Sequence, residues 1–486
     1  MMSSVGSIRM LRIVVLAAGV SPSALAAERT ETFDKDPNWE GINNRATTPE
    51  KRTIRQDFGY SNTNHAGGKA GEVGGLITPA AEPAYYAKKI DTKSFDDSLT
   101  ASGRLLCQGR QFHVLVGFFN ANTLNEWRTP NSIAIRLLGR GDVYFAYVEY
   151  CTGKWRAGGD SPGGFATVKD ERGRTNLKGF KTGVAVEWSI KYDPAGNKGT
   201  GSITVTLGGE TAICDLTAGH KADGATFNRF GLLNVIKSAD SGGEIWLDDI
   251  VINGQLDTLE RHTGWEGLNN RTTYETTGVR PRFDFGYSPT QYAGGNGKGE
   301  LGGLVYRGDC RYKNKLAAYG DRLSSLTLDK PLKASGKVAM RRGVSDSTTL
   351  LGFYHSEDSL KVNPSQSNGW PRSFLGVVVE GPSSEGFLFY PAYRTGGEES
   401  GNGSRNGPSH ILPDGKPHDW LLEYDPGGAG GRGRIVVTFD GKPVTLDLGD
   451  RHRKAGARFD RFGLVTTWID GNSQLIFFDD LTYTCE

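Results

Sequence analysis

Four sets of residues in this chain have the types and spacing to do chemistry. Gln111 and His113 bracket one residue, Phe112. On a strand, alternation sends both side chains to the same face. A histidine that accepts a proton beside an amide that neutralises a carboxylate suits proton abstraction from an acidic sugar. A second set is acidic. Asp419 and Glu423 alternate along Asp419-Trp420-Leu421-Leu422-Glu423-Tyr424-Asp425, and paired carboxylates are what glycoside hydrolysis requires. A third set is aromatic and cationic. Trp127 and Arg128 precede one predicted strand and Tyr147 and Tyr150 lie on its return; Trp370, Arg372, Tyr390 and Tyr393 occupy matching places further on, with Asn368 just ahead of them. Flat aromatic faces with a polar tip stack on sugar rings, and the arginine fork grips carboxylate or sulfate. Ordinary sandwich packing accounts for the same aromatics. The fourth set is two adjacent pairs, Asp248-Asp249 and Asp479-Asp480. Alternation points one aspartate of each pair inward, where it needs a partner or a metal, and carboxylate oxygens suit calcium.

The elements that must position these residues are written twice. Trp39-Glu40-Gly41-Ile42-Asn43-Asn44-Arg45 returns as Trp265-Glu266-Gly267-Leu268-Asn269-Asn270-Arg271. Asp57-Phe58-Gly59-Tyr60-Ser61 returns as Asp284-Phe285-Gly286-Tyr287-Ser288, and Phe227-Asn228-Arg229-Phe230-Gly231-Leu232 as Phe459-Asp460-Arg461-Phe462-Gly463-Leu464. The copies span 28–256 and 257–486, each the size of a whole domain. Asn253-Gly254-Gln255-Leu256 leads straight from one into the other, so the two are expected to pack together. The heptad itself offers Trp, Glu, Asn and Arg to a sugar. The same residues also make a framework turn, with Asn and Gly at left-handed positions and Glu paired to Arg.

Within each copy the apolar residues alternate. Ser132 to Leu138 and Val143 to Tyr150 flank a Gly139-Arg140-Gly141-Asp142 turn, and Arg434 to Phe439 turns back at Asp440-Gly441, which reads as hairpins. Glycine supplies 68 of 486 residues, about double the usual ~7%, as many tight turns require. The fold expected is all-β: two tandem antiparallel β-sandwich or jelly-roll domains.

At the N-terminus, Arg9 and Arg12 precede the apolar run Ile13 to Val20, which closes on Ala24-Leu25-Ala26. This is the pattern of a secretory signal peptide over 1–27, and the run is too short to span a bilayer. The protein is therefore expected outside the cytoplasm: secreted, periplasmic or at the cell surface. Without the two leader arginines, 55 basic residues face 55 acidic ones. Nucleic-acid binding wants a basic excess or stripe, and neither is present. Five cysteines, Cys107, Cys151, Cys214, Cys310 and Cys485, include no C-x-x-C pair, which leaves zinc and thioredoxin-type chemistry without support. Export permits disulfides, and Cys310 with Cys485 is the one pairing available inside the second copy. Nucleophile elbows and phosphate-cradling loops are missing, and no organic cofactor is expected.

The closing strands Ile245-Trp246-Leu247-Asp248-Asp249-Ile250-Val251 and Ile476-Phe477-Phe478-Asp479-Asp480-Leu481 resemble the last strand of concanavalin A-like lectin/glucanase and laminin-G-like jelly rolls. The repeated motif set resembles tandem modules of uncharacterised secreted bacterial proteins. The first resemblance implies a structural calcium near the Asp-Asp strand. Gln111 and His113 resemble the Q-x-H strand of jelly-roll alginate lyases, but the R-x-E-x-R and Lys/Tyr strands of those enzymes are absent, and the second copy has Asp346 and Thr348 at the matching places. The E-x-D-x-x-E and E-x-D-x-E strands of sandwich glucanases are absent too, and the first copy has Glu187 and Lys191 where the second has Asp419 and Glu423.

The function expected is a secreted protein that binds extracellular polysaccharide through the Trp, Arg and Tyr positions, its two copies acting bivalently. The alternatives are a glycoside hydrolase or polysaccharide lyase with its site in one copy, and a structural protein of the cell envelope or matrix.

Overall fold

A computed structural model describes residues 27–165, 167–169, 171–363, 369–467 and 469–486. The leader, Asn368 and Trp468 lie outside the described residues. Strands form where the alternation predicts them and pair into four large antiparallel sheets, two for each half of the chain. The predicted hairpins form in register, with Ser132–Arg140 against Val143–Cys151 and Arg434–Phe439 against Lys442–Asp447. The described helical pieces are single turns, and among the described residues no helix is long and apolar enough to cross a membrane.

Each half encloses its own core between two sheets. The first core gathers residues such as Phe58, Val73, Leu105, Tyr150, Trp188, Tyr192, Phe227 and Leu247. The second repeats the pattern with Phe285, Leu301, Val338, Tyr393, Trp420, Tyr424, Phe459 and Phe478. Two buried tyrosines are tied identically: Tyr192 Oη donates to the Phe95 carbonyl at 2.8 Å and Tyr424 Oη to the Leu328 carbonyl at 2.7 Å. A hydroxyl can enter an apolar core only when it finds such an acceptor.

The sheets divide the chain differently from the repeat. Strand Glu28–Glu31 pairs with Ser473–Thr484, and Glu40–Ile42 pairs with Ala318–Thr327, so the first residues of copy one complete the second sandwich. Reciprocally, Glu266–Leu268 pairs with Tyr85–Ser94 and Arg271–Thr276 with Arg52–Ser61, so the first residues of copy two complete the first. Phe33 and Trp39 belong to the second core, and Leu259 and Trp265 to the first.

The heptad is the clasp of this exchange. In its first appearance Asn44 Nδ2 donates to the Phe285 carbonyl at 2.6 Å, Arg45 ion-pairs with Asp284 at 2.8 Å, and Glu40 binds Arg461 and Arg322. In its second, Asn270 Nδ2 donates to the Phe58 carbonyl at 2.5 Å, Arg271 to the Tyr60 carbonyl at 2.5 Å, and Glu266 pairs with Arg229 at 2.8 Å. Asn43 and Asn269 take left-handed conformations (φ 51° and 50°), which asparagine tolerates. The glycines are required by close approach: a Cβ on Gly41 would stand 2.2 Å from Asn44 Oδ1, and one on Gly267 2.0 Å from Asn270 Oδ1.

The two sandwiches touch directly. Ala157 N–H donates to the Ser384 carbonyl at 2.9 Å, Glu385 accepts from Arg156 at 3.0 Å and lies 3.0 Å from His220 Nε2, and Ser238 Oγ donates to Asn472 Oδ1 at 3.0 Å. All five cysteines are buried and form no disulfide, Cys310 and Cys485 included, so core packing and strand exchange hold the halves.

Candidate functional site

The outward face of one sheet in the first sandwich carries a cluster of cationic and aromatic groups. Gln111–Phe119 pairs with Ser132–Arg140, and that strand with Val143–Cys151. The register sets His113 opposite Leu138, Arg136 opposite Tyr147, and Ala134 opposite Glu149. Direct partners in an antiparallel pair share a face, so His113, Arg136, Tyr147 and Glu149 all point away from the core. The loop before Ser132 then lays Trp127 across them. The Trp127 ring meets His113 edge-on at 4.4 Å, and the Arg136 guanidinium lies 4.9 Å from the Trp127 ring and 4.0 Å from the Tyr147 ring.

Buried charge on this face is matched. Arg136 is 3% and Glu149 4% exposed, and their side chains meet at 2.5 Å, with Arg128 at 4.0 Å from the same carboxylate. A buried cation without such a partner would be costly. Arg136 Nη1 also lies 3.2 Å from His113 Nε2. Burial, then Lys237, Arg136 and Arg140, hold the His113 imidazolium well below its ordinary pKa, so the ring is neutral at physiological pH. It accepts at Nε2 from the arginine, and its Nδ1 has no hydrogen-bond partner among the described residues.

Two cavities flank the His113–Trp127 contact. One, about 400 Å³, is lined by Gln111, His113, Arg140, Lys237, Asp240 and Arg280. The other, about 380 Å³, is shared by the halves: Trp127 and Arg128 come from the first, Arg307, Asp346, Glu380 and Pro382 from the second. Beside it Glu126, 3% exposed, has its carboxyl pushed up to about 8 by burial, against the pull of Arg342 and Arg128.

The corresponding face of the second sandwich is built differently. Thr348 stands opposite Glu380 and Val378 opposite Tyr390. Glu380 accepts from Tyr390 Oη and from Arg307 at 2.9 Å, while Arg307 also pairs with Asp346. Trp370 packs edge-on to Tyr390 at 6.5 Å and lines a cavity of about 180 Å³ with Arg307, Thr348 and Glu380.

The structure therefore brings together Gln111, His113, Trp127, Arg128 and Tyr147, and sets Trp370 and Tyr390 across the same junction. It does not bring in the rest. Tyr150 and Tyr393 face the cores, where their hydroxyls lie 2.9 Å from His220 Nδ1 and 2.8 Å from His452 Nδ1; each stands three positions along its strand from the outward tyrosine, which reverses its face. Arg372 ion-pairs with Glu398, away from the Trp370 cavity. Asp419 and Glu423 stand on the solvent face of His418–Asp425, Asp419 with an 80% exposed side chain held by Lys337 at 3.2 Å. Glu423 is exposed as well. The two aromatic sets also meet at one junction, which replaces the two independent platforms expected for bivalent binding. Arg136, Lys237, Arg280 and Glu126 escaped the sequence reading. Arg136 had a signal, as the one charge inside Ile133-Ala134-Ile135-Arg136-Leu137-Leu138; Lys237 and Arg280 are distant in sequence and meet only through the fold.

At the acidic pairs, Asp249 and Asp480 adopt left-handed conformations (φ 50° and 48°) and bulge their strands. Asp248 and Asp479 are buried, each accepting the next residue's N–H at 2.7 Å through Oδ1; Asp248 Oδ2 has no partner among the described residues, whereas the Gly295 backbone lies against Asp479. Burial pushes these carboxyls up to about 6 and about 7. The bulge brings both carboxylates of the first pair near one point: a Cβ on Gly68 would stand 3.4 Å from Asp248 Oδ2 and 3.6 Å from Asp249 Oδ2. Among the described residues no group of three or more His, Cys, Asp or Glu is placed to hold a metal ion.

No protein-family profile and no curated protein sequence matches the chain. Among solved structures it is similar to domains LG4-5 of the mouse laminin alpha1 chain, at 11% identity and TM-score 0.24, over 88% of this chain and 92% of that one. It is similar also to an alginate lyase from Pseudomonas aeruginosa, at 10% identity and TM-score 0.24, over 41% of this chain and 86% of that one. A third likeness, to a beta-fructofuranosidase from Schwanniomyces occidentalis, has 9% identity and TM-score 0.20 over 96% of this chain and 99% of that one. At these scores the likenesses carry no argument about site or activity.

Proposed function

We propose that this is a secreted glycan-binding protein whose site lies at the junction of its two sandwiches, around Trp127. The observation that carries the reading is the cavity of about 380 Å³ in which the Trp127 indole and the Arg128 and Arg307 guanidinia face the carboxylates of Asp346 and Glu380. An aromatic face with hydrogen-bond donors and acceptors around it is the chemistry that a sugar ring and its hydroxyls require. Retention of the full chain on immobilised polysaccharides tests it; failure to bind any of a broad panel of neutral and acidic polysaccharides overturns it.

A lyase is the second reading, and one observation favours it: a neutral His113 and Gln111 line a cavity with three cations. Ultraviolet-absorbing unsaturated uronates released from a polyuronate would establish it. Export through the leader is part of the proposal, tested by the mature N-terminus of the secreted protein. So is calcium at Asp248-Asp249 and Asp479-Asp480. Each pair holds a buried carboxylate, Asp248 and Asp479, and carboxylate oxygen is the donor type that this ion takes.

A further inference from the structure

We infer that the cavity beside His113 is the subsite for an anionic group, the carboxylate or sulfate of an acidic saccharide, and that this makes the protein selective for charged glycans. The inference rests on the glycan-binding reading above and adds the substrate class. Three cations, Arg140, Lys237 and Arg280, line the cavity against one carboxylate, Asp240. That carboxylate is already committed: it ion-pairs with Lys237 at 2.9 Å and accepts the Ser241 N–H at 2.9 Å. Two guanidinia remain. The Arg140 side chain is exposed and makes no hydrogen bond or ion pair among the described residues, while the Arg280 side chain ion-pairs only with Asp470, at 4.0 Å. Their planar forks match carboxylate and sulfate oxygens, and Gln111 adds an amide donor.

His113 gives the second, independent observation. It is 4% exposed, lines this cavity, and leaves Nδ1 without a partner among the described residues. Burial first, and after it Lys237, Arg136 and Arg140, disfavour the imidazolium. An anion seated between Arg140 and Arg280 offsets the potential of these cations, so His113 then gains its proton at a higher pH.

The site needs both halves of the chain. Arg280 lies beyond Arg271–Thr276, the strand that copy two contributes to the first sandwich. Strand exchange therefore supplies Arg280, one of the two guanidinia that do not pair with Asp240, and the second copy has Asp346 and Thr348 in place of Gln111 and His113. One anionic subsite per chain follows.

Isothermal titration of the full chain with a polyuronate, a sulfated glucan and a neutral glucan tests the inference. At least one charged polymer should bind ~10-fold or more tightly than the neutral one, and Arg140→Ala should remove about that factor for the charged polymer alone. Arg280→Ala should do the same, and both variants should keep the parent melting temperature. Of the two charged polymers, the one bound more tightly identifies carboxylate or sulfate. The histidine resonance of His113 should titrate at higher pH with the polymer bound. Neutral and charged polymers bound equally, or charged binding untouched by both variants, overturns the inference and leaves the glycan reading standing. Binding of none of the three, with binding of no other polysaccharide, overturns both.

Discussion

The two sandwiches share a framework and differ on one face. Core positions repeat to the hydroxyl: Tyr192 and Tyr424 each bond a backbone carbonyl, and Tyr150 and Tyr393 each meet a histidine. On the outward face, equivalent register positions carry His113, Leu138, Arg136 and Glu149 in the first half but Thr348, Glu380, Val378 and Ala392 in the second. Both halves keep an outward tyrosine, Tyr147 and Tyr390. The first half sets it against a guanidinium and the second against a carboxylate. What the copies retain is what folding needs, and the chemistry lies where they have diverged.

Breaking the retained part should give the largest effect. Trp39→Ala removes a buried ring from the second core, at a cost of about 3–5 kcal/mol. Hydrogen exchange should show protection lost in Ala318–Thr327 and Ser473–Thr484, the partners of the exchanged strands, with Arg52–Ser61 unaffected. Trp265→Ala should produce the mirror image in the first sandwich. Loss confined to the variant's own copy would contradict the exchange.

The junction should respond to pH. Because the Glu126 carboxyl titrates at about 8 when folded, the folded state holds more protons than the unfolded state between the ordinary carboxylate value and that pH. Stability must therefore fall as pH rises through this window. Glu126→Gln removes the buried charge, so at pH ~9 it should unfold later than the parent by roughly 2–4 kcal/mol and equal it near pH 4. Denaturant midpoints at the two pH values check this, and a variant with unchanged pH dependence would contradict it.

The acidic pairs give a similar but condition-dependent effect. Calcium at 100 times its dissociation constant should stabilise the chain by about 2.7 kcal/mol per site, visible as a higher melting temperature that chelation reverses. Asp248→Asn and Asp479→Asn should each remove part of the response. A melting temperature indifferent to calcium removes the ion from the account.

Smaller still is the difference between two tyrosines on one strand. Tyr150→Phe loses the hydroxyl's bonds to His220 and the Thr217 N–H and should cost about 1–2 kcal/mol of stability with glycan affinity unchanged. Tyr147→Phe should alter affinity by less than ~3-fold, since its ring stays over Arg136.

Much of this fold was legible in the sequence because alternation and turn residues are local signals. Asp440-Gly441 announces its hairpin, and Trp188 and Trp420 mark equivalent core strands. The heptad was legible as a framework turn but not as an exchange clasp. Its residues name the turn, whereas which sheet it closes depends on the partners Phe58 and Phe285, more than 200 residues distant in chain order. At the site, Trp127, Arg128 and Tyr147 were readable as aromatic and cationic types beside a strand. Tyr150 misled because counting its distance from Tyr147 decides the face, and three steps along a strand reverse it. Asp249 misled differently, since its left-handed bulge breaks the alternation that had assigned it to the opposite face.

The most direct test is the affinity of Trp127→Ala and Trp370→Ala, measured separately against one polysaccharide that the parent chain binds. If the diverged face of the first sandwich is the site, Trp127→Ala should weaken binding by ~10-fold or more and Trp370→Ala by less than ~3-fold. Equal losses in the two variants, or no loss in Trp127→Ala, would contradict the account.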